Sequence, residues 1–217
     1  ALLGPNGSGK TSIFNIISGL INVDYGNVYF DSNDITNRKP EDISNLGISR
    51  LFQKARLFEN LSVADNLLVS LNNEDIKFFK NLFGFNHSFG NEKEKINKIL
   101  SLLNIENLQK KFASELSYGQ QRLVEITRTF LNPHRLVLLD EPVAGVNPRI
   151  RNQFAKFLLN MKNRGESILL IEHDMRFTFS VADKIIVLHE GKVIAQGSSE
   201  EIKDNELVRK VYLGEKI

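Results

Sequence analysis

Short apolar runs alternate with longer amphipathic stretches along this chain. Residues 1–3, 47–52, 136–139, 167–171 and 184–188 are largely apolar in succession rather than at every second position, the mark of strands buried on both faces. Helical periodicity fills most of the intervals, as in 12–19. Strands that alternate with helices predict an α/β fold around a mainly parallel central sheet. From about residue 72 to 115 the strand pattern disappears, and Ile96, Ile99, Leu100 and Leu103 fall on one helical face, which predicts a helical insertion. The aromatic-rich piece 78–89 has no clean period and reads as a loop or short helices. The resulting organisation is one domain, 1–217, with 1–71 and 116–217 as core and 72–115 as a helical subdomain.

With 217 residues, 41% hydrophobic and 25% charged, the chain has the make-up of a large globular domain rather than a disordered one. Its net charge of +2 is too small to point to a nucleic-acid partner, and none is expected. The absence of cysteine excludes disulfides and thiolate metal sites and fits a reducing compartment. The longest apolar runs, such as 136–139 and 185–188, fall far short of the roughly 20 residues that cross a bilayer, so a membrane role has to come through a partner. Because the chain opens at Ala1 and reaches its first motif at Gly4 without a signal-peptide pattern, it is read as N-terminally incomplete.

That first motif is GPNGSGKT at 4–11, which fits GxxxxGK[ST] and lies between an apolar strand and a helical stretch. A loop of Gly4, Pro5, Asn6, Gly7, Ser8 and Gly9 lets backbone N–H groups converge on a phosphate, and the helix that begins about Lys10, Thr11 and Ser12 adds its dipole. Lys10 is expected to reach the β- and γ-phosphates of ATP and the Thr11 hydroxyl to hold Mg2+. A plain glycine-rich turn is the competing reading. In LVLLDE, Asp140 and Glu141 emerge at the C-terminal end of a strand, where α/β sheets place ligand chemistry. Asp140 is expected to hold Mg2+, usually through water, and Glu141 to act as general base on the attacking water. Two acids that merely end a strand are the alternative, weakened by the phosphate loop upstream.

LSYGQQ at 116–121 narrows the field, for it resembles the LSGGQ signature of ATP-binding cassette (ABC) ATPases, with Tyr118 in place of the first glycine. Gln53 after one strand and His173 after another fall in the order that family follows. The resemblance implies a P-loop ABC ATPase fold. It also implies that Ser117, Gly119 and Gln120 bind the γ-phosphate of ATP held by a second ATPase subunit, identical or paralogous. Gln53 is implied to contact Mg2+ and the attacking water, and His173 the γ-phosphate. On the residues alone, Ser117 could equally be a helix cap with Gly119 for close packing, and the two roles are compatible. Asn147 stands where the family commonly has an aspartate, so cross-talk between two sites is expected to differ.

Over its whole length the chain resembles the ATPase subunits of branched-chain amino acid importers, through GISRLFQKARLF, ELSYGQQR, AGVNP and GSSEEIKDNELVRKVYLGE. In the last of these, Glu200, Glu201, Ile202, Val208, Val211, Tyr212 and Leu213 match a short C-terminal helix of that subfamily, and a simple packing helix remains the alternative. Relatives in lipopolysaccharide export and urea uptake share much of the layout. The resemblance implies integral permease subunits as partners, a substrate-binding protein indirectly, and a place on the cytoplasmic face of the membrane. It implies that 53–71, with Arg56, Leu57 and Phe58, docks on the permease, although Leu57 and Phe58 could be ordinary core. The family's N-terminal antiparallel sheet and adenine-stacking aromatic are expected to be missing, with weaker stability and a grip mainly on the phosphates. A non-transport ABC protein acting on ribosomes or DNA usually carries tandem cassettes or a long coiled coil, and the chain has neither. A P-loop kinase has no use for LSYGQ or His173.

Overall fold

The computed structural model describes residues 1–51, 57–71, 90–131 and 134–213, with the side chains of 90, 91 and 213 left aside. Gln53, Arg56 and the stretch 78–89 lie outside the described residues. The chain divides into two compact units, one of 1–53, 134–142 and 161–217 and the other of 54–133 and 143–160.

The first unit contains β1 (Leu2–Leu3), α1 (Lys10–Ile17), β2 (Tyr29–Phe30), β3 (Asn33–Asp34), α2 (Pro40–Asn45) and β4 (Ile48–Leu51). The second contains α3 (Val63–Leu71), α4 (Gly90–Leu102) and α5 (Tyr118–Leu131). The chain then returns to the first unit in β5 (Leu136–Asp140), and α6 (Pro148–Asn163) belongs mostly to the second. It ends in the first with β6 (Ser167–Ile171), α7 (Met175–Val181), β7 (Ile185–His189), β8 (Lys192–Gly197), α8 (Ser199–Asp204) and α9 (Glu206–Leu213).

Six strands form one sheet in the order β4-β5-β6-β1-β7-β8. Four ladders are parallel, and β7 with β8 is antiparallel. The mainly parallel sheet expected from the pattern is therefore present, with β1 at its centre and the loop after β1 leaving from its C-terminal edge. On one face Phe14 of α1 packs with Leu2, Ile48, Leu138, Ile171 and Leu188. On the other, Leu3, Ile185 and Val187 pack with Ile202 of α8 and Val208 of α9. Burial on both faces explains why these strands read as continuous apolar runs.

Two features escaped the pattern. β8 is an edge strand with three of its six residues exposed, so its apolar positions do not form a run. The β2–β3 hairpin turns through Asp31 and Ser32 with φ of 47° and 65°, a two-residue turn with both φ values positive but without the glycine that usually signals it. The tail is two helices rather than one. Asn205 lies between them, and its Oδ1 accepts from the Val208 N–H at 3.0 Å, so the residue that ends α8 caps α9.

In the second unit Leu67, Ile96, Leu100, Leu103, Leu123 and Ile126 are buried, and so is Ile99. The predicted helical face thus points inward. Asn66, fully buried, accepts from the Phe58 N–H and donates to the carbonyls of Phe58, Leu61 and Ser62, which ties the turn 58–62 to α3. The neighbours Leu57 and Phe58 part company, for Leu57 is core and Phe58 is 52% exposed. No described helix is long and apolar enough to cross a membrane.

Candidate active site

β1 ends at the middle of the sheet, and residues 4–9 turn before α1 begins at Lys10. Gly7 and Gly9 take φ of 80° and 100°, values that a side chain would make costly. Buried Ser8 accepts the Gly191 N–H of the β7–β8 turn at 3.2 Å through its carbonyl, so the loop leans on the sheet it leaves. Into this loop Lys10 turns its ammonium, which donates to the Gly4 and Pro5 carbonyls at 2.7 and 2.9 Å and to Ser8 Oγ at 3.4 Å. Burial pulls the Lys10 ammonium below its usual range, with Glu141 and then Asp140 opposing. The charge is thus held at the centre of the loop with two carboxylates close enough to be felt. An open cleft of about 250 Å³ is lined by residues 6–12, Glu141 and His173.

The acidic wall comes from β5 and β6. These run parallel with Asp140 opposite Ile171, so both strands deliver the residues that follow them to the same edge. Glu141 keeps its N–H on the Ile171 carbonyl at 2.9 Å while its φ swings to 46°. A left-handed conformation is uncommon for a residue with a side chain, and such residues gather where a side chain must be aimed. Its Oε1 lies 2.6 Å from His173 Nε2, a hydrogen bond that joins the two side chains over the phosphate loop. Asp174, next along, caps α7 by accepting from the Phe177 N–H at 2.9 Å and so fixes where the His173 loop ends.

Asp140 is buried behind this pair. Burial raises its carboxyl above the usual range, opposed chiefly by Arg50, whose Nη2 lies 3.6 Å from Oδ2. Arg50 is the residue the sequence reading passed over. Its one trace in the sequence is a guanidinium between Ser49 and Leu51 in the short strand ISRL.

The donors fit magnesium. Thr11 offers a hydroxyl in the cleft and Asp140 a carboxylate buried next to Glu141, both hard oxygen donors, and among the described residues no group of three His, Cys, Asp or Glu could hold a metal by itself. That set suits an ion held by one or two protein oxygens together with phosphates and water.

The signature lies on the second unit. Ser117 precedes α5 in a reciprocal cap: its Oγ accepts from the Gln120 N–H at 3.4 Å, and Gln120 Oε1 accepts from the Ser117 N–H at 3.0 Å. A Cβ at Gly119 would stand 2.7 Å from Ile150 Cδ1, so a side chain there requires the end of Ile150 to shift. Asn147 caps α6, its Oδ1 accepting from the Ile150 N–H at 3.0 Å. The amide therefore does the hydrogen-bonding work open to an aspartate at that position.

Comparison with known proteins agrees with this geometry. The family model for ABC transporters matches residues 1–144, and that for branched-chain amino acid ATP-binding cassette transporters matches 192–216. The chain is 37% identical over 216 residues to a probable branched-chain amino acid transport ATP-binding protein LivG of Archaeoglobus fulgidus, covering 98% of this chain and 83% of that protein. It is 34% identical over 214 residues to the lipopolysaccharide export system ATP-binding protein LptB of Haemophilus influenzae, covering 99% and 85%. A solved ATP-binding cassette of an ABC transporter in its ADP conformation superposes with a TM-score of 0.82 at 33% identity, covering 99% of this chain and 87% of that one. With the phosphate loop, the acid and histidine wall, the signature cap and these matches together, the chain belongs to the ABC transporter family as one of its ATP-binding cassettes.

Proposed function

We propose that this chain binds MgATP in the cleft of residues 6–12, Glu141 and His173 and hydrolyses it to power a membrane transporter of branched-chain amino acids. The observation that carries the chemistry is the 2.6 Å Glu141–His173 pair facing the phosphate loop in one cleft. The N–H groups of the loop and of the first turn of α1 cradle the β-phosphate, and Lys10 meets the β- and γ-oxygens. Thr11, Asp140 and Gln53 would hold a magnesium ion, which would supply charge neutralisation on the phosphates. Glu141 accepts a proton from the attacking water as its oxygen bonds to the γ-phosphorus, and the bond from that phosphorus to the bridging oxygen breaks, releasing ADP and phosphate. His173 orients Glu141 and contacts the γ-phosphate.

Ser117, Gly119 and Gln120 complete the site of a second cassette, identical or paralogous, where the start of α5 faces its γ-phosphate. Closure of two such cassettes drives permease subunits at the cytoplasmic face, with a substrate-binding protein acting through them. Half-exposed Phe58 is the docking contact on the second unit. Amino acids are favoured as cargo over lipopolysaccharide by the branched-chain match at 192–216.

The test is to express the chain with its membrane partner and binding protein in proteoliposomes. ATP hydrolysis is expected to rise when leucine, isoleucine or valine loads the binding protein, and Phe58→Ala is expected to remove that rise while leaving unstimulated hydrolysis in place. Hydrolysis indifferent to all three amino acids contradicts the cargo, and stimulation unaffected by Phe58→Ala contradicts the docking contact.

A further inference from the structure

Arg50 sits where an apolar residue would be unremarkable. In the β4–β5 ladder it pairs with Leu138, and side chains alternate across a strand, so Arg50, Leu138 and Asp140 share the face covered by α1. Its side chain is 9% exposed and that of Asp140 is 2% exposed. The guanidinium is divided between two elements. Nη1 donates to Asn15 Oδ1 at 2.9 Å and to Ser18 Oγ at 3.2 Å, both on the phosphate-loop helix side, while Nη2 faces Asp140 Oδ2 at 3.6 Å. Ser18 can accept because its own hydroxyl proton goes to the Phe14 carbonyl at 2.7 Å. The guanidinium carbon also stands 5.6 Å from the centre of the Phe14 ring.

An ion pair this deeply buried adds little net stability, since removing both charges from water offsets most of their attraction, and well-packed apolar side chains often serve as well. What a planar fork supplies is direction: two arms at a fixed angle can hold a carboxylate on one side and two oxygens on the other. A lysine keeps the charge but places it at one point. The helix that begins with Lys10 and Thr11 is in this way tied to the strand end that carries Asp140.

We infer that Arg50 is a positioning residue that locks the Asp140 carboxylate to the phosphate-loop helix and thereby sets the geometry in which magnesium is held with nucleotide. The inference rests on the reading of Asp140 as a magnesium contact, and it adds to that reading a residue that touches neither nucleotide nor metal. Arg50 acts from behind the carboxylate, as groups that support metal ligands do.

The readout is the ratio of ADP affinities measured by calorimetry without metal, in EDTA, and with saturating Mg2+, for the parent, Arg50→Lys, Arg50→Met and Asp140→Asn. Both Arg50 variants are expected to lower that ratio by about tenfold, the lower end for partners of metal ligands, while metal-free ADP binding stays within about twofold. A merely structural role would lower the melting temperature or weaken both affinities together and leave the ratio alone. The lysine variant, which keeps the buried charge, carries the test if the methionine variant folds poorly. If Asp140→Asn collapses the ratio and neither Arg50 variant moves it, the inference about Arg50 is overturned and the reading of Asp140 stands. If Asp140→Asn leaves the ratio unchanged, the reading of Asp140 falls and takes Arg50 with it.

Discussion

Glu141 and Lys10 line the same cleft and are expected to fail in different ways when changed. Glu141→Gln keeps the shape and the hydrogen bond to His173 but cannot take a proton, so turnover should fall by about 10²- to 10⁴-fold, with ATP affinity measured by calorimetry close to that of the parent. Lys10→Ala removes a charge aimed at the phosphates, so the affinity itself should fall by tenfold or more, the scale on which charged hydrogen bonds act. At this scale most of the candidate site was legible, because the phosphate loop, Asp140 and Glu141 occur in motifs whose spacing carries their chemistry, while His173 came only through the family resemblance. Arg50 was not legible. Nothing in ISRL says which way the third residue points, and only the register with Leu138 puts it beside Asp140.

Among the elements, the C-terminal helix makes a prediction that depends on pH. Tyr212 of α9 packs against the face formed by Leu3, Ile185 and Val187, and burial pushes its phenol up to about 12, with the nearby Gly4 backbone opposing. Between pH 10, the ordinary value, and about 12 the unfolded chain releases a proton that the folded chain keeps. Stability from this group is therefore complete below pH 10 and falls as pH rises through about 12. In thermal melts at pH 9 to 12, Tyr212→Phe should lose less of its melting temperature than the parent, and equal losses would remove Tyr212 from the alkaline limb. The junction of α5 and α6 is open to a second test. Gly119→Val drives a side chain at Ile150 Cδ1 and should cost about 1–3 kcal/mol in denaturant unfolding, with part of the loss recovered by Ile150→Val beside it. The strands of the central sheet were legible as apolar runs because both faces are buried. The β2–β3 hairpin and β8 were not, since an Asp31–Ser32 turn lacks the usual glycine and an edge strand with three of its six residues exposed shows no apolar run. The break at Asn205 was also missed, because a capping asparagine and an internal one look alike in a continuous amphipathic pattern.

In the whole molecule the work is divided between two units of one chain. The first carries the phosphate loop and the acid and histidine wall, and the second carries the signature cap at Ser117. A helix start whose cap is built and exposed is suited to a phosphate that another chain presents, and this is what makes the proposed engine a pair. The most direct measurement is sedimentation velocity of the Glu141→Gln chain with the nucleotide's absorbance followed in the same run. With MgATP the account predicts that the bound nucleotide moves with a species of twice the chain's mass, that MgADP leaves the mass single, and that adding Ser117→Arg abolishes the pair while ATP still binds. Bound MgATP moving with a single chain at every protein concentration, both alone and with a paralogous cassette added, or a pair that survives Ser117→Arg, would contradict it.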